Sequence, residues 1–298
     1  MKTARNILIA FILNLSFSVF ELFGGIFTGS VAIISDAIHD AGDAVSIGIS
    51  YFLERKSKKQ PDEKYTYGYG GYSVLGGLFT TVILLIGAVF MIYNAVCKII
   101  TPAKINYNGM IVFAVIGVCV NFCAAFFTRG GGSVNQKAVN LHMLEDVLGW
   151  AVVLVGAIIM RFTDIAIIDP ILSLGVSVFI IINAIKNLKD ILRLLLAKTP
   201  ENVNISEIKA HLEALDGVLD IHHIHIWSLD GQNNFSTLHI VTDSEPHVIK
   251  EVVRRELFTH GIGHVTIETE TSAEHCHEKS CRVEHSSPAV HHHHHHHH

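Results

Sequence analysis

The sequence predicts an α-helical membrane protein with six transmembrane helices followed by a small cytoplasmic α+β domain, and three observations carry that prediction. Half of the residues are hydrophobic and only 16% are charged, giving a mean hydropathy of +0.41, a balance too apolar for an ordinary soluble domain. Six apolar segments long enough to cross a bilayer, which takes about 20 helical residues, follow one another up to position 185. After Thr199 and Pro200 the chain turns to frequent charges and alternating patterns.

The spans are expected at 7–27, 31–53, 73–99, 109–127, 139–161 and 165–185. The first resembles the start of a signal peptide, but no small-residue cleavage site follows it and further apolar runs do, so it reads as a span. Six crossings put both termini on one side. Lys2, Arg5, Arg55, Lys56, Lys58, Lys59, Lys64, Arg129, Lys137, Lys186, Lys189, Arg193 and Lys198 fall on that side, against Lys98, Lys104 and Arg161 opposite. By the positive-inside rule both termini are cytoplasmic, in a multi-pass protein of the plasma or inner membrane.

The division expected is a membrane domain at 1–199, a soluble domain at 200–272, a flexible Cys/His tail at 273–290, and at 291–298 a run of histidines that reads as a purification tag. In the soluble domain, 205–215 has the periodicity of an amphipathic helix. Alternating, β-branched character at 218–229 and 235–242, parted by Asp230-Gly231, predicts a hairpin. Pro246 opens a second helix to about 260, and a last strand is expected at 264–269. The order α-β-β-α-β suggests a ferredoxin-like open sheet with helices on one face.

A formal charge of −5 argues against a nucleic-acid partner, which favours a basic surface. Of the five cysteines, Cys97, Cys119 and Cys123 lie in apolar runs and Cys276 and Cys281 in the polar tail, so no disulfide framework is implied.

Of the 21 histidines, only His39 and His142 precede position 200. Each is followed four residues later by an aspartate, Asp43 and Asp146, inside the second and fifth spans. Positions i and i+4 share a helix face, so two such helices facing each other would offer two imidazole nitrogens and two carboxylates. That set suits tetrahedral zinc; calcium and magnesium prefer all-oxygen shells, while cobalt, nickel, cadmium-like ions and ferrous iron share the ligand preference. An ionisable residue at mid-span costs on the order of 3 kcal/mol, so a matched pair of such motifs points to function. Asp36 lies near the start of the second span, and Asp40 and Glu145 are rotated by about 100° from the adjacent histidine or aspartate. All three are left outside the ligand set. Asn14 and Glu21, seven apart in the first span, read equally as a polar lining or a packing pair.

The run from Gly29 to His39, Gly-Ser-Val-Ala-Ile-Ile-Ser-Asp-Ala-Ile-His, the Tyr65-Thr-Tyr-Gly-Tyr69 loop, the motif from His142 to Asp146, Asp169-Pro170 and His225-Ile-Trp227 together resemble the cation diffusion facilitator family of zinc and related metal transporters. The resemblance covers nearly the whole chain. It implies a homodimer in the lipid bilayer, a cytoplasmic metallochaperone-like domain, zinc as the transported ion, and metal efflux in exchange for protons by alternating access. It further implies that His222, His239 and Glu270 occupy positions that bind structural or regulatory metal in some relatives, with Cys276 and Cys281, beside His275 and His277, as candidate thiolate ligands. Two departures stand out. Tyr65 and Tyr69 replace histidines that form an extra metal site in one branch, so no metal is expected there despite Asp62. Gly71 and Ser73 stand where many members carry a basic residue and a glutamate. The loop at 128–137 contains Gly130 and Gly132 but no histidine, so metal collection by that loop is not expected.

His223, His225, His247, His260 and His264 read as solvated, since isolated histidines need no function. Two other classes fit the residues less well. An intramembrane metallohydrolase needs an open coordination position and typically HExxH, whereas four protein ligands close the shell and no HExxH exists, so no enzyme is expected. A membrane-tethered metal sensor leaves two buried HxxxD pairs unexplained.

Overall fold

The computed structural model describes residues 2–28, 31–100, 107–130, 132–163 and 167–274; within them the side chains of several residues, Asp36, His39 and Asp169 included, lie outside the description. The described elements run α1 Lys2–Thr28, α2 Val31–Ser57, α3 Gly71–Ile100, α4 Tyr107–Thr128, α5 Val134–Thr163, α6 Ile168–Leu195, α7 Ile205–Glu213, β1 Asp220–Ser228, β2 Asn234–Val241, α8 Pro246–Thr259 and β3 Ile262–Glu270. They divide into two compact units, Met1–Pro200 with Trp227–Asn233, and Glu201–Ile226 with the chain from Asn234 onward.

In the first unit no proline interrupts a helix interior: Pro61, Pro102 and Pro200 fall between helices and Pro170 lies in the first turn of α6, where no hydrogen bond is lost. Four helices contain stretches long and apolar enough to cross a membrane among the described residues, Thr3–Gly24, Gly71–Cys97, Ile111–Thr128 and Val134–Thr163. Their outward faces carry large apolar side chains such as Phe23, Ile86, Phe126 and Phe162, as a surface solvated by lipid requires. α1 packs on α2 and α4, α4 on α5, and α3 on α2, α5 and α6. Where α4 meets α5, Gly117 is needed: a Cβ there would stand 2.5 Å from Trp150.

Polar side chains tie the helices together where backbone packing alone leaves donors unmet. Asn140 on α5 donates to the Ala125 carbonyl (2.7 Å) and to Thr128 Oγ1 (2.9 Å) of α4. Gln136 Nε2 donates to the Thr128 carbonyl at 2.9 Å. The helices outrun the predicted spans, α5 starting at Val134 rather than 139 and α6 continuing to Leu195 rather than 185. Hydropathy reports contact with lipid, whereas the helix continues for as long as its backbone bonds are met.

The second unit has the predicted element order, and its boundaries fall within two residues of expectation. Its three strands lie in the order β1-β2-β3, with β2 and β3 parallel. Asn204 caps α7 by accepting from the Ser206 and Glu207 amides at 3.1 and 3.3 Å. Ile208 and Leu212 of α7 and Ile249, Val253 and Leu257 of α8, each set at i+4 spacing, share one core with Ile221, Ile226, Leu238, Ile240 and Ile267 of the sheet. Along β2 burial alternates strictly, leaving His239 on the face away from that core. β1 breaks the alternation. Ile221 and His222 are both buried, and His223 follows with φ of +52°, a left-handed conformation that resets the side-chain phase.

Candidate metal centre

α2 brings Asp43, and α5 brings His142, to the interior of the first unit. Asp43 is 6% exposed and His142 3%. His142 Nε2 lies 3.6 Å from Asp43 Oδ2, and ligand atoms of Asp43, His142 and Asp146 all fall within 4.8 Å of one another. Beside them Ile47, one turn after Asp43, packs with Val139 and Met143 of α5, Ala124 and Ala125 of α4, and Ile7 and Ala10 of α1. Four helices therefore fix the distance between the two carboxylates. His39 belongs to α2, one turn before Asp43, but its side chain lies outside the described residues. The same holds for Asp36.

Neither ring nitrogen of His142 has a hydrogen-bond partner among the described residues. A buried imidazole left so costs about 1–3 kcal/mol for each unmet polar group, and an ion coordinated by one nitrogen offsets that cost. Opposite the Asp43 side, His142 Nδ1 faces Glu145 Oε2 at 3.8 Å. Glu145, set aside as a ligand by its angular position, thus lies beside the ring nitrogen that does not face Asp43.

A second buried carboxylate on α2 was not legible in the sequence. Glu54 is fully buried and its Oε2 accepts from Ser73 Oγ of α3 at 2.7 Å and from Asn135 Nδ2 of α5 at 3.4 Å, while Lys58 Nζ lies 3.1 Å from Oε1. Ser50 Oγ completes the cluster by donating to Asn135 Oδ1. Flanked by Arg55 and Lys56, Glu54 reads as a solvated helix end; only the closeness of α3 and α5 buries it. Ser73 serves as the donor to Glu54.

The loop before α3 has a different use for its acid. Asp62 accepts from the Lys64 and Tyr65 amides at 3.0 and 2.9 Å and from Tyr69 Oη at 2.6 Å. The Tyr69 hydroxyl holds the Asp62 carboxyl below its usual range, and the same bond pushes the tyrosine up to about 12. Both carboxylate oxygens are committed to holding the loop.

In the second unit His222, His239 and Glu270 come together, with ligand atoms within 4.8 Å of one another. The parallel register sets His239 opposite Glu268 and Val241 opposite Glu270. His222 Nδ1 donates to Asp220 Oδ2 at 3.0 Å, which leaves the Nε2 lone pair directed toward Glu270 Oε2 at 3.5 Å. Lone pair facing carboxylate is unfavourable unless a proton or cation lies between them. His239 Nδ1 lies 2.7 Å from Glu270 Oε1.

Two of the supposedly solvated histidines belong to this cluster. His223 stacks on His239 with ring centroids 4.9 Å apart, and His225 meets His223 at 4.8 Å. Burial, with His223 and His239 nearby, pushes His225 below the usual histidine value. The left-handed His223 is what brings these rings together, and no residue count reveals it. His247 and His264 are exposed as expected. Cys276, Cys281, His275 and His277 lie outside the described residues.

Comparison with known proteins bears on the same two units. The family model described as the cation efflux transmembrane domain matches residues 7–196, and that of the cation efflux protein cytoplasmic domain matches 200–272. The chain is similar to a cadmium, cobalt and zinc/H(+)-K(+) antiporter of Bacillus subtilis, 30% identical over 93% of this chain and 91% of the relative. It is similar to the metal cation efflux system protein CzcD of Cupriavidus metallidurans, 32% identical over 89% and 86%. To the zinc transporter ZitB of Yersinia pseudotuberculosis it is 30% identical over 97% and 94%. Its two units, matched in turn by both family domains, make this chain a multi-pass membrane protein of the cation efflux family, the cation diffusion facilitators.

Proposed function

We propose that the protein exports divalent metal, zinc foremost, from the cytoplasm in exchange for protons, through a tetrahedral site of His39, Asp43, His142 and Asp146. The observation that carries this reading is the His142 imidazole, buried with neither nitrogen hydrogen-bonded among the described residues and 3.6 Å from Asp43 Oδ2. Tetrahedral zinc with bonds of about 2.0–2.1 Å spaces its ligands about 3.4 Å apart. His39 completes the set by its place one turn from Asp43. The relatives' names, which include cadmium, cobalt and zinc, efflux and a proton antiporter, support the substrate class, the direction and the counter-ion.

The same atoms that hold the metal also hold protons. Neutral imidazole and carboxylate bind the ion from the cytoplasmic side, and protons arriving from the outside compete for them and expel it. α2 and α6 cross as well, making six spans, both termini are cytoplasmic, and the cytoplasmic domain pairs two chains into a homodimer, a reading supported by its match to the family's cytoplasmic domain. His222, His239 and Glu270 take regulatory zinc there, with Cys276 and Cys281 of the tail as further candidate ligands. For a bound ion to bias transport it must favour one conformation over another.

Zinc flux into proteoliposomes under an imposed pH gradient tests the transport site. Asp43→Ala and Asp146→Ala are expected to lose more than about 100-fold, beyond the 10–100-fold typical of residues that only orient ligands. Parental flux in either variant ends the proposal.

A further inference from the structure

We infer that α7 and α8 form a separate zinc site from His211, Glu256 and His260, outside both the transport route and the His222 cluster. His211 Nδ1 lies 3.0 Å from His260 Nε2 and 3.6 Å from Glu256 Oε1, and His260 Nε2 lies 3.3 Å from the same Oε1. Three potential ligand atoms thus form one triangle with edges of 3.0–3.6 Å. That matches the spacing of about 3.4 Å that tetrahedral zinc imposes on nitrogen and oxygen ligands at 2.0–2.1 Å. With one proton between the two facing nitrogens of the His211–His260 contact, the Glu256 oxygen is left facing a ring nitrogen that carries a lone pair. A divalent cation at the centre of the triangle satisfies all three.

The protein supplies the supports such a site needs. Glu256 and His260 are one turn apart at the end of α8, and the His260 amide bonds back to the Leu257 carbonyl at 3.1 Å. His211 is held over them because Leu212 beside it and Leu257 beside Glu256 both belong to the same buried core. The His211 side chain is half exposed, and His260 also lines an open depression with Thr259, Asn204 and Glu207, so water can reach a fourth position, as in zinc sites with three protein ligands. Glu207 precedes His211 by one helical turn and so shares its face. The alternative is a plain histidine pair with a Glu–His contact within α8. It predicts a contribution to stability that does not depend on metal.

The test uses the full chain without residues 291–298, whose histidines would themselves bind metal, purified in detergent and titrated calorimetrically with zinc. Stoichiometry is expected to fall by one ion per chain in His211→Ala and in His260→Ala, to stay at the parental value in the exposed control His247→Ala, and to fall independently in His222→Ala. An unchanged stoichiometry in His211→Ala overturns the site. Should that variant unfold, a second measurement decides. In a His222→Ala/His239→Ala background, zinc is expected to slow hydrogen exchange at the α7 amides, and His211→Asn to remove the zinc-dependent part. Zinc without effect on α7 also overturns it. Because the Asp43→Ala protein retains these residues, its loss of one ion and of flux is separable from loss at this site.

Discussion

His142 has two nitrogens and two carboxylates near it, and the geometry separates their roles. Asp43 approaches Nε2 from the neighbouring helix, while Glu145 approaches Nδ1 from one turn along α5. One ion cannot use both nitrogens of a ring, so only one of these acids can share the ion with His142. In the proposed site, the HxxxD spacing and the convergence with Asp146 favour Asp43 for that place. Glu145→Gln should therefore raise the zinc concentration for half-maximal flux by about 10–100-fold, the range for a residue that orients a ligand, while saturating zinc restores the rate. Asp146→Asn should lose flux at every zinc concentration. Identical kinetics of the two variants would merge the roles. The pairing of His142 with Asp146 was legible because its spacing is local, four residues on one helix. The Glu54 cluster was not, since its partners Ser73 and Asn135 come from α3 and α5. Nor was the triad of His211, Glu256 and His260, whose members stand on two helices of the cytoplasmic domain.

At the scale of elements, helix contacts rest on small residues and buried polar links rather than on apolar burial, because lipid is as apolar as a leucine. Gly117→Ala puts a methyl group within 2.5 Å of Trp150 and is expected to cost about 1–3 kcal/mol by overpacking, seen as a lowered unfolding temperature in detergent. Glu54→Ala removes the acceptor for Ser73 Oγ and is expected to cost a similar 1–3 kcal/mol, about the penalty for leaving a buried donor unmet. The loop before α3 offers a pH test. Asp62 is held below its usual value near 3.9, so its hold on the Lys64 and Tyr65 amides is complete above that value and is lost as pH falls through the lowered one. Exchange protection at those amides should persist through neutral pH and vanish in Asp62→Ala. Element types and order were legible because hydropathy and the 3.6- and 2-residue periods are set locally. The extra turns of α5 and α6 were hidden, since Asn135, Gln136, Lys186 and Arg193 carry no lipid signature.

For the whole molecule, transport requires the metal site to open on each side of the membrane in turn, so the number of crossings matters as much as the ligands. Among the described residues, four helices are apolar enough to span without further support. α2 carries Asp36, Asp40 and Asp43 along its first half, which lower its hydropathy. In α6, Asn187 Nδ2 donates to Thr81 Oγ1 of α3 at 2.7 Å, so this polar side chain is met by protein rather than lipid. Both helices are as long as their neighbours, at 27 and 28 residues, which at about 1.5 Å per residue exceeds the bilayer core. If all six cross, Lys64 and Lys137 share the cytoplasmic side and Lys104 faces the other. In a protein with all five native cysteines replaced, single cysteines at these positions should answer to an impermeant thiol reagent accordingly. Lys64→Cys and Lys137→Cys should label in inside-out vesicles, and Lys104→Cys in right-side-out vesicles. Labelling of Lys64→Cys and Lys104→Cys from the same side would mean that α3 does not cross. The HxxxD faces of α2 and α5 would then lack a membrane-embedded path between the two compartments, whatever their affinity for zinc.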